Sequence, residues 1–353
     1  MKRIIVLNNY PFDTVWDEVR RGDKPDHHLY GINYFERRGY EVIIAPSNAS
    51  RKWNRMNTFA RRIPLPLGDL MQQYWTMKNL RKDDIIYAPC ETQANLLCLG
   101  RGSGLLRSPV VCIAHHPFHR GRMSLLRRPY LDQVIRGADY YLSLSNGVAQ
   151  QMISSGGRSL VLKWGPDANY YHPSGEVGHG VLAAGRTGRD FFTFAAGAAR
   201  AGIYADIICL QPDSHNLLGL PYIHLQVQPV NEYMGYPRLM KAFNSARALA
   251  IPLYQDDSLA GLTSLMDALG MAKPVICTRN PLLDIDIEKE GIGFWVEPGD
   301  VDGWSRAITF FDEHPDEARA MGLRARKLVD AGFNSEFFAS QVLRIFESVY
   351  TGN

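Results

Sequence analysis

Apolar positions along the chain fall into short β-branched runs separated by longer stretches of helical spacing. Residues 3–7 (RIIVL), 41–45 (EVIIA), 84–88 (DIIYA), 109–114 (PVVCIA) and 138–143 (ADYYLS) read as buried strands. A polar loop carrying Asp13, Trp16 and the cluster Asp26-His27-His28 follows the first of them, and a helical pattern over 29–38 stops at Gly39. A helix over 147–154 comes next, then LVLKWGPDANYYHP, a strand that ends in a Gly-Pro-Asp turn and reads as a linker between two similar halves. The second half repeats the plan. Strands over 180–184, 205–210, 223–227, 248–253 and 293–296, and one opening at Val275, alternate with helices over 191–201, 236–245, 262–270, 304–313 and 315–331. A terminal amphipathic helix over 335–350 presents Phe337, Phe338, Val342, Ile345 and Phe346 as its apolar face. Strand–helix alternation of this kind predicts an α/β protein with parallel sheets, and 353 residues suit two such domains.

Composition agrees with that plan. A hydrophobic content of 46% beside 21% charge is enough apolar material for two full cores, which excludes a disordered chain. The five cysteines form no CxxC pair, and Cys112, Cys209 and Cys277 fall inside strand-like runs as buried thiols, so neither a disulfide framework nor a zinc site is expected. The opening IIVL run is too short for a signal peptide, and no apolar run reaches bilayer length. The expectation is a cytoplasmic protein, at most lying on the inner face of the cell membrane. The net charge of +3 conceals an asymmetry: residues 1–168 carry 24 Lys+Arg against 14 Asp+Glu, and residues 169–353 carry the other 15 against 22. A basic half joined to an acidic half points to an anionic surface as a partner of the first. Residues 51–62 sharpen this, with Arg51, Lys52, Arg55, Arg61 and Arg62 among Trp53, Met56 and Phe59, an interfacial pattern cut short by Pro64 and Pro66. The basic residues lack the aromatic platforms of a single-strand nucleic-acid binder, and none is expected.

Candidate chemistry lies where strands end. The stretch AGLTSLMDALGMAKPVICT (260–278) is a Gly-containing turn, a helix and a strand, and its amides at Gly261, Leu262, Thr263 and Ser264 stand ready for an anion, with Asp267 three residues beyond Ser264 on nearly the same face. Gly185-Arg186-Thr187-Gly188-Arg189 is a Gly-bounded strand-to-helix turn with two arginines, which suits a diphosphate. In the first half, His27 and His28 sit in the loop after strand one, and His115 and His116 end the strand PVVCIA, followed by Arg120, Arg122, Arg127 and Arg128, cations for a phosphate or an anionic head group. Adjacent histidines project in different directions and are not a metal pair; no Walker sequence, HExxH or serine elbow is present.

Four of these stretches together resemble the GT-B glycosyltransferases, with two Rossmann-like domains facing each other across a cleft, and among them the retaining family 4 enzymes. Gly185-Arg186 followed by Arg189 resembles that family's Gly-Arg…Lys diphosphate site, with arginine in place of the usual lysine. GLTSLMDALGMAKPVI resembles its Gly-Leu…Leu-Glu-Ala-Met-Ala-x-Gly-x-Pro-Val-Ile signature, Trp164-Gly165-Pro166-Asp167 with Tyr171 and Pro173 resembles its linker, and PVVCIAHH resembles the strand that ends in its acceptor-side histidine. The last helix resembles the one that returns to the first domain.

The resemblance implies an acceptor domain over 1–170 completed by 335–353, and a donor domain over 171–334. It implies a metal-independent, retaining transfer of a sugar from a nucleotide sugar, UDP-linked by preference, to a glycan or lipid-linked acceptor. Gly185, Arg186, Arg189, Gly261, Leu262 and Thr263 would hold the diphosphate and Asp267 the ribose. His115 and His116 would be catalytic, and His27, His28, Arg120 and Arg122 would face the acceptor. No cofactor is expected beyond the donor substrate. Two departures stand out: the first of the family's two glutamates falls near Leu259, with Asp256 or Asp257 as substitutes, and the family's Gly-Gly loop is replaced by DKPDHHLYG. A sugar-nucleotide epimerase on the same plan and a non-catalytic nucleotide- or membrane-binding relative are the alternatives.

Overall fold

The structure is a computed structural model that describes residues 2–46, 57–58, 63, 65–121, 123–230, 234–255 and 258–351. The basic segment 51–62, apart from Asn57 and Thr58, lies outside the described residues, as do Arg122, Asp256 and Asp257. The chain divides into two compact units, one of Met1–Arg20, Asp26–Trp164 and Ser335–Asn353, the other of Arg21–Pro25 and Gly165–Asn334.

Among the described residues, the first unit holds a six-stranded parallel sheet of β1 (Arg3–Val6), β2 (Glu41–Ile44), β3 (Ile85–Ala88), β4 (Val110–Ala114), β5 (Tyr140–Ser143) and β6 (Ser159–Val161), in the order β2-β1-β3-β4-β5-β6. Ile4 pairs with Val42 on one side and Ile85 on the other. The order reverses beside β1, so the carboxyl ends of β1 and β3 flank the crevice where doubly wound sheets take ligands. The central strands are buried on both faces, hence unbroken apolar runs such as VVCIA. Ile5, Ile86, Cys112, Val134 and Tyr141 belong to one core beneath the helices.

The second unit repeats the plan with β7 (His179–Ala184), β8 (Ala205–Leu210), β9 (Ile223–Gln228), β10 (Ala246–Ile251), β11 (Val275–Thr278) and β12 (Gly293–Val296), all parallel, in the order β12-β11-β10-β7-β8-β9. Counted from β7, this is the strand order 3-2-1-4-5-6 of a dinucleotide-binding sheet, with its switch point between β7 and β10. Val181, Phe194, Ala248, Trp304 and Phe311 form its core. The expectation of two Rossmann-like sheets is borne out.

Two local expectations are corrected. Residues 12–21 are not a polar loop but helix α1 (Phe12–Arg21): Phe12, Val15 and Trp16 recur at helical spacing and are buried, while Asp13 lies in the first turn. In the terminal helix α12 (Ser335–Thr351), Phe338, Val342 and Phe346 are buried as expected, but Phe337 faces solvent and Ala339 and Leu343 take part in the buried stripe instead. That helix belongs to the first unit, with Phe346 packed edge-on to Phe35 and Tyr87, each at 5.3 Å. Further α-helices among the described residues are α2 (Ile32–Arg37), α3 (Leu70–Asn79), α4 (Asn95–Gly102), α5 (Ser124–Gly137), α6 (Asn146–Ser154), α7 (Phe191–Ala201), α8 (Tyr236–Ser245), α9 (Leu262–Gly270), α10 (Val301–Glu313) and α11 (Pro315–Asp330). None of the described helices is long and apolar enough to cross a membrane.

Candidate functional site

At the switch point of the second unit, the loops after β7 and β10 are laced together. Arg189 forms an isolated bridge with Leu253, the Tyr254 amide donates to Gly188 O at 3.0 Å, and the Asp190 amide donates to Pro252 O at 3.2 Å. Asp190 is committed to capping α7, its carboxylate accepting from the amide of Thr193 at 3.1 Å and from its hydroxyl at 2.6 Å. The first arginine of the turn, Arg186, is exposed. The second is held: Arg189 donates from Nη2 to the Ser264 hydroxyl at 2.8 Å and from Nη1 to Thr187 O at 3.1 Å. Its guanidinium lies directly over Gly185, where any Cβ would collide with it. That close approach explains the glycine.

Ser264 is in the first turn of α9, so Arg189 is tied to the start of the helix. Gly261 is the N-cap residue, with a φ of 87° and no side chain to cap the helix; a Cβ there would also press on Ile251 and Leu253 at 3.1 Å. The amides of Leu262, Thr263 and Ser264 therefore emerge at a helix end without a side-chain cap, and Thr263 is exposed. The loop before them is pinned from β11: Leu253 N donates to Thr278 Oγ1 at 2.9 Å, and Asn280 Nδ2 donates to Ser258 O and Ala260 O at 3.0 and 3.2 Å. The result is a preformed cationic and amide-lined edge suited to phosphate oxygens.

Asp267 is placed differently from its neighbours. It is only 5% exposed, and the Tyr171 hydroxyl donates to Oδ1 at 2.5 Å, with Tyr236 also hydrogen-bonded to the carboxyl. Burial pushes its pKa up to about 7, against the pull of the two tyrosine hydroxyls and the nearby Arg189. Burial likewise drives the Tyr171 hydroxyl well above its ordinary range, so it stays a donor. Gly270 admits the Tyr171 ring, which a Cβ would strike. At Leu259, where a carboxylate was expected, the side chain is apolar and buried.

In the first unit, the structure brings the two histidine pairs together. Rings follow one another from His116 to His115 (6.4 Å), Tyr30 (5.2 Å), Trp164 (5.8 Å), His27 (5.1 Å) and His28 (4.4 Å). The loop is fixed by Trp164 Nε1 donating to His27 O at 3.3 Å, Tyr10 donating to His28 O at 2.5 Å and Tyr87 donating to Tyr30 O at 2.9 Å. His27 is buried, whereas His28, His115 and His116 are partly exposed. His115 Nε2 lies 2.7 Å from Pro89 O, an acceptor only, so in the neutral ring that nitrogen carries the proton and Nδ1 is left as a hydrogen-bond acceptor. The His115 amide donates to buried Glu91 at 3.3 Å. Arg120 is exposed beyond this group.

Sequence reasoning did not single out Glu91, Tyr30, Tyr236, Thr278 or Asn280. Their roles depend on contacts made across the fold, and only the position of Thr278 and Asn280 at the end of a strand offered a signal. No group of three or more side chains that could hold a metal ion occurs among the described residues.

No protein-family model matches the sequence, and no curated protein matches it either. Solved structures do match in shape along the whole chain. HepE from Anabaena, crystallised in complex with UDP, aligns with a TM-score of 0.68 at 15% identity over 99% of this chain and 100% of its own. Sucrose-phosphate synthase from Thermosynechococcus elongatus aligns at 0.69 and 14% identity over 100% of both chains. The fold is GT-B. WaaG, a glycosyltransferase involved in lipopolysaccharide biosynthesis, shares this GT-B fold at a TM-score of 0.60 and 13% identity, over 99% of this chain and 100% of its own. At such identities the likeness is one of fold, and the chemistry has to be argued from the side chains.

Proposed function

We propose that the chain transfers a sugar from a nucleoside-diphosphate sugar, a UDP-sugar by preference, to a glycan or lipid-linked acceptor. The observation that carries this reading is Arg189, held by Ser264 over Gly185 beside the uncapped amides of α9, at the switch point of a GT-B sheet. A departing nucleoside diphosphate develops negative charge on its phosphate oxygens, and a preset guanidinium with oriented amides stabilises that charge without reorganising. Arg186 adds a second cation from the exposed side of the turn, so the charge is met by the protein and no metal is invoked. Asp267 is buried with its carboxyl held by Tyr171 and Tyr236, so in this reading it reaches the ribose only by giving up one of those hydrogen bonds, and the acceptor meets His28, His115, His116 and Arg120. The route is a front-face transfer with retention, the acceptor proton passing to the leaving phosphate. The fold likeness to HepE, crystallised with UDP and with UDP and glucose, supports the choice of donor. Work on a lipid-linked acceptor places the protein at the inner face of the cell membrane.

Calorimetric titration with UDP tests the site. Replacing Arg189 or Arg186 by alanine removes a charged hydrogen-bonding group that contributes about 1.5–3 kcal/mol, so affinity falls roughly ten- to hundredfold in each variant. Unchanged affinity in both would sink the diphosphate assignment. Buried Leu259, in place of a carboxylate, favours a second reading, a relative that binds the nucleotide and transfers nothing. Slow hydrolysis of UDP-, GDP- and dTDP-sugars separates the two, since only an enzyme releases free nucleotide.

A further inference from the structure

The outer edge of β9 is open in a way that β6 and β12, two other edge strands, are not. β6 has three residues, and the Lys163 amide just beyond it donates to Gln341 Oε1 at 3.4 Å. β12 has four, and the Trp295 amide on its outer side donates to Glu288 Oε1 at 3.2 Å. Short length and a polar side chain laid along the rim keep such edges from pairing. β9 runs for six residues, IHLQVQ, and from 214 to 231 the sequence holds no Lys, Arg, Asp or Glu. Tyr222 O accepts from the Ala205 amide at 3.0 Å, so even-numbered residues turn their backbone groups to β8. Ile223, Leu225 and Val227 therefore aim their amides and carbonyls outward, and no described residue bonds to them. Leu218, Tyr222, Val227 and Val230 are exposed along the same stretch.

The symmetry of the strand identifies the partner. Pro221 and Pro229, which have no N–H, stand four residues to either side of Leu225. Antiparallel pairing with a second β9 about a two-fold axis at Leu225 sets Leu225 opposite itself, Ile223 opposite Val227 and His224 opposite Gln226. Each outward residue then exchanges both hydrogen bonds with the facing strand, about six bonds in all. A slip of two residues either way sets a proline opposite Val227 or Ile223 and loses donors. No pair across the two-fold carries like charges, and Ile223 and Leu225 extend a face that already packs on the core beneath α7. An unrelated extended peptide would use the same amides without needing the prolines to be equidistant.

We propose that β9 pairs with β9 of a second copy of this chain, antiparallel and centred on Leu225, so that two six-stranded sheets become one. The pairing goes beyond sugar transfer and needs no nucleotide.

Sedimentation equilibrium of the full chain and cross-linking through introduced cysteines test it. The parent passes from monomer to dimer as its concentration rises through roughly 1 to 100 μM. Val227→Pro removes an outward N–H while sparing the bonds to β8, and weakens association by about tenfold or more. Leu225→Cys sets two thiols within disulfide reach, so oxidised glutathione joins its copies above the baseline of the parent's own cysteines. Val227→Cys alone leaves the copies separate, whereas a mixture of Ile223→Cys with Val227→Cys joins. These cysteine arms decide the matter even where Val227→Pro unfolds. A parent that stays monomeric at about 100 μM overturns the proposal and leaves the edge to a strand from another protein. It is equally overturned if folded Val227→Pro associates like the parent, if Leu225→Cys fails to join, or if Val227→Cys joins as readily as Leu225→Cys.

Discussion

Asp267 shows how one side chain ties the site to pH. Its folded pKa is raised from 3.8 to about 7 because burial disfavours the charged form. A raised acid stabilises the fold fully below its unfolded value, and that contribution is lost as pH rises through the folded value. The window therefore runs from about pH 4 to pH 7, and the shift corresponds to about 4 kcal/mol as an upper figure. Asp267→Asn keeps an acceptor for the Tyr171 hydroxyl and cannot ionise. Urea unfolding of the variant should lose the decline in stability that the parent shows between about pH 4 and pH 7. An unchanged decline would mean another group titrates there. Tyr171→Phe removes the donor from the buried carboxyl and should destabilise by about 1–3 kcal/mol near neutral pH. Little of this was legible in the sequence: the helical position of Asp267 was readable, but its burial and its tyrosine partners come from residues 96 and 31 positions away.

Elements were far more readable than contacts. The helices over 191–201 and 236–245 and the strands over 205–210 and 293–296 lie where hydrophobic periodicity puts them. Each is bounded by a strong signal: Asp190 caps one helix and Gly202, in a left-handed conformation, ends it, while Pro237 opens the other. Helix α1 was hidden by its polar surface residues and by only three buried positions in nearly three turns. Helices α3, α4 and α5 were not anticipated; α5 carries Pro129 inside it and two exposed leucines, both of which obscure an amphipathic pattern. The turn between β7 and α7 was legible as a diphosphate loop, but not the reason for its first glycine. Gly185→Ala would drive the Arg189 guanidinium away from Ser264. UDP affinity should then fall about as far as in Arg189→Ala, and the double variant should be little worse than either, because both remove one interaction. Additive losses would show that Gly185 acts through something other than Arg189.

The two units are two cores, and a ligand that binds one stabilises that one directly. UDP at a hundredfold over its dissociation constant adds about 2.7 kcal/mol to every opening that destroys its site. Hydrogen exchange read peptide by peptide should show that gain in β7, β10 and α9, which carry the loops at residues 185–190 and 252–264. The strands β1, β3 and β4 of the first unit should exchange as before. Phe346→Ala supplies the reciprocal perturbation, because Phe346 is fully buried against Phe35 and Tyr87 in the first unit. Its loss should cost about 3–5 kcal/mol there and speed exchange in β1 and β3, while UDP affinity stays within about twofold of the parent. A UDP-induced slowing of β1 and β3 equal to that of β7 and β10 would place the nucleotide against both units rather than on the α9 edge alone. Protection confined to the second unit, with the Phe346 variant still binding UDP, is the pattern that a donor site built on Arg189, Gly261 and α9 requires.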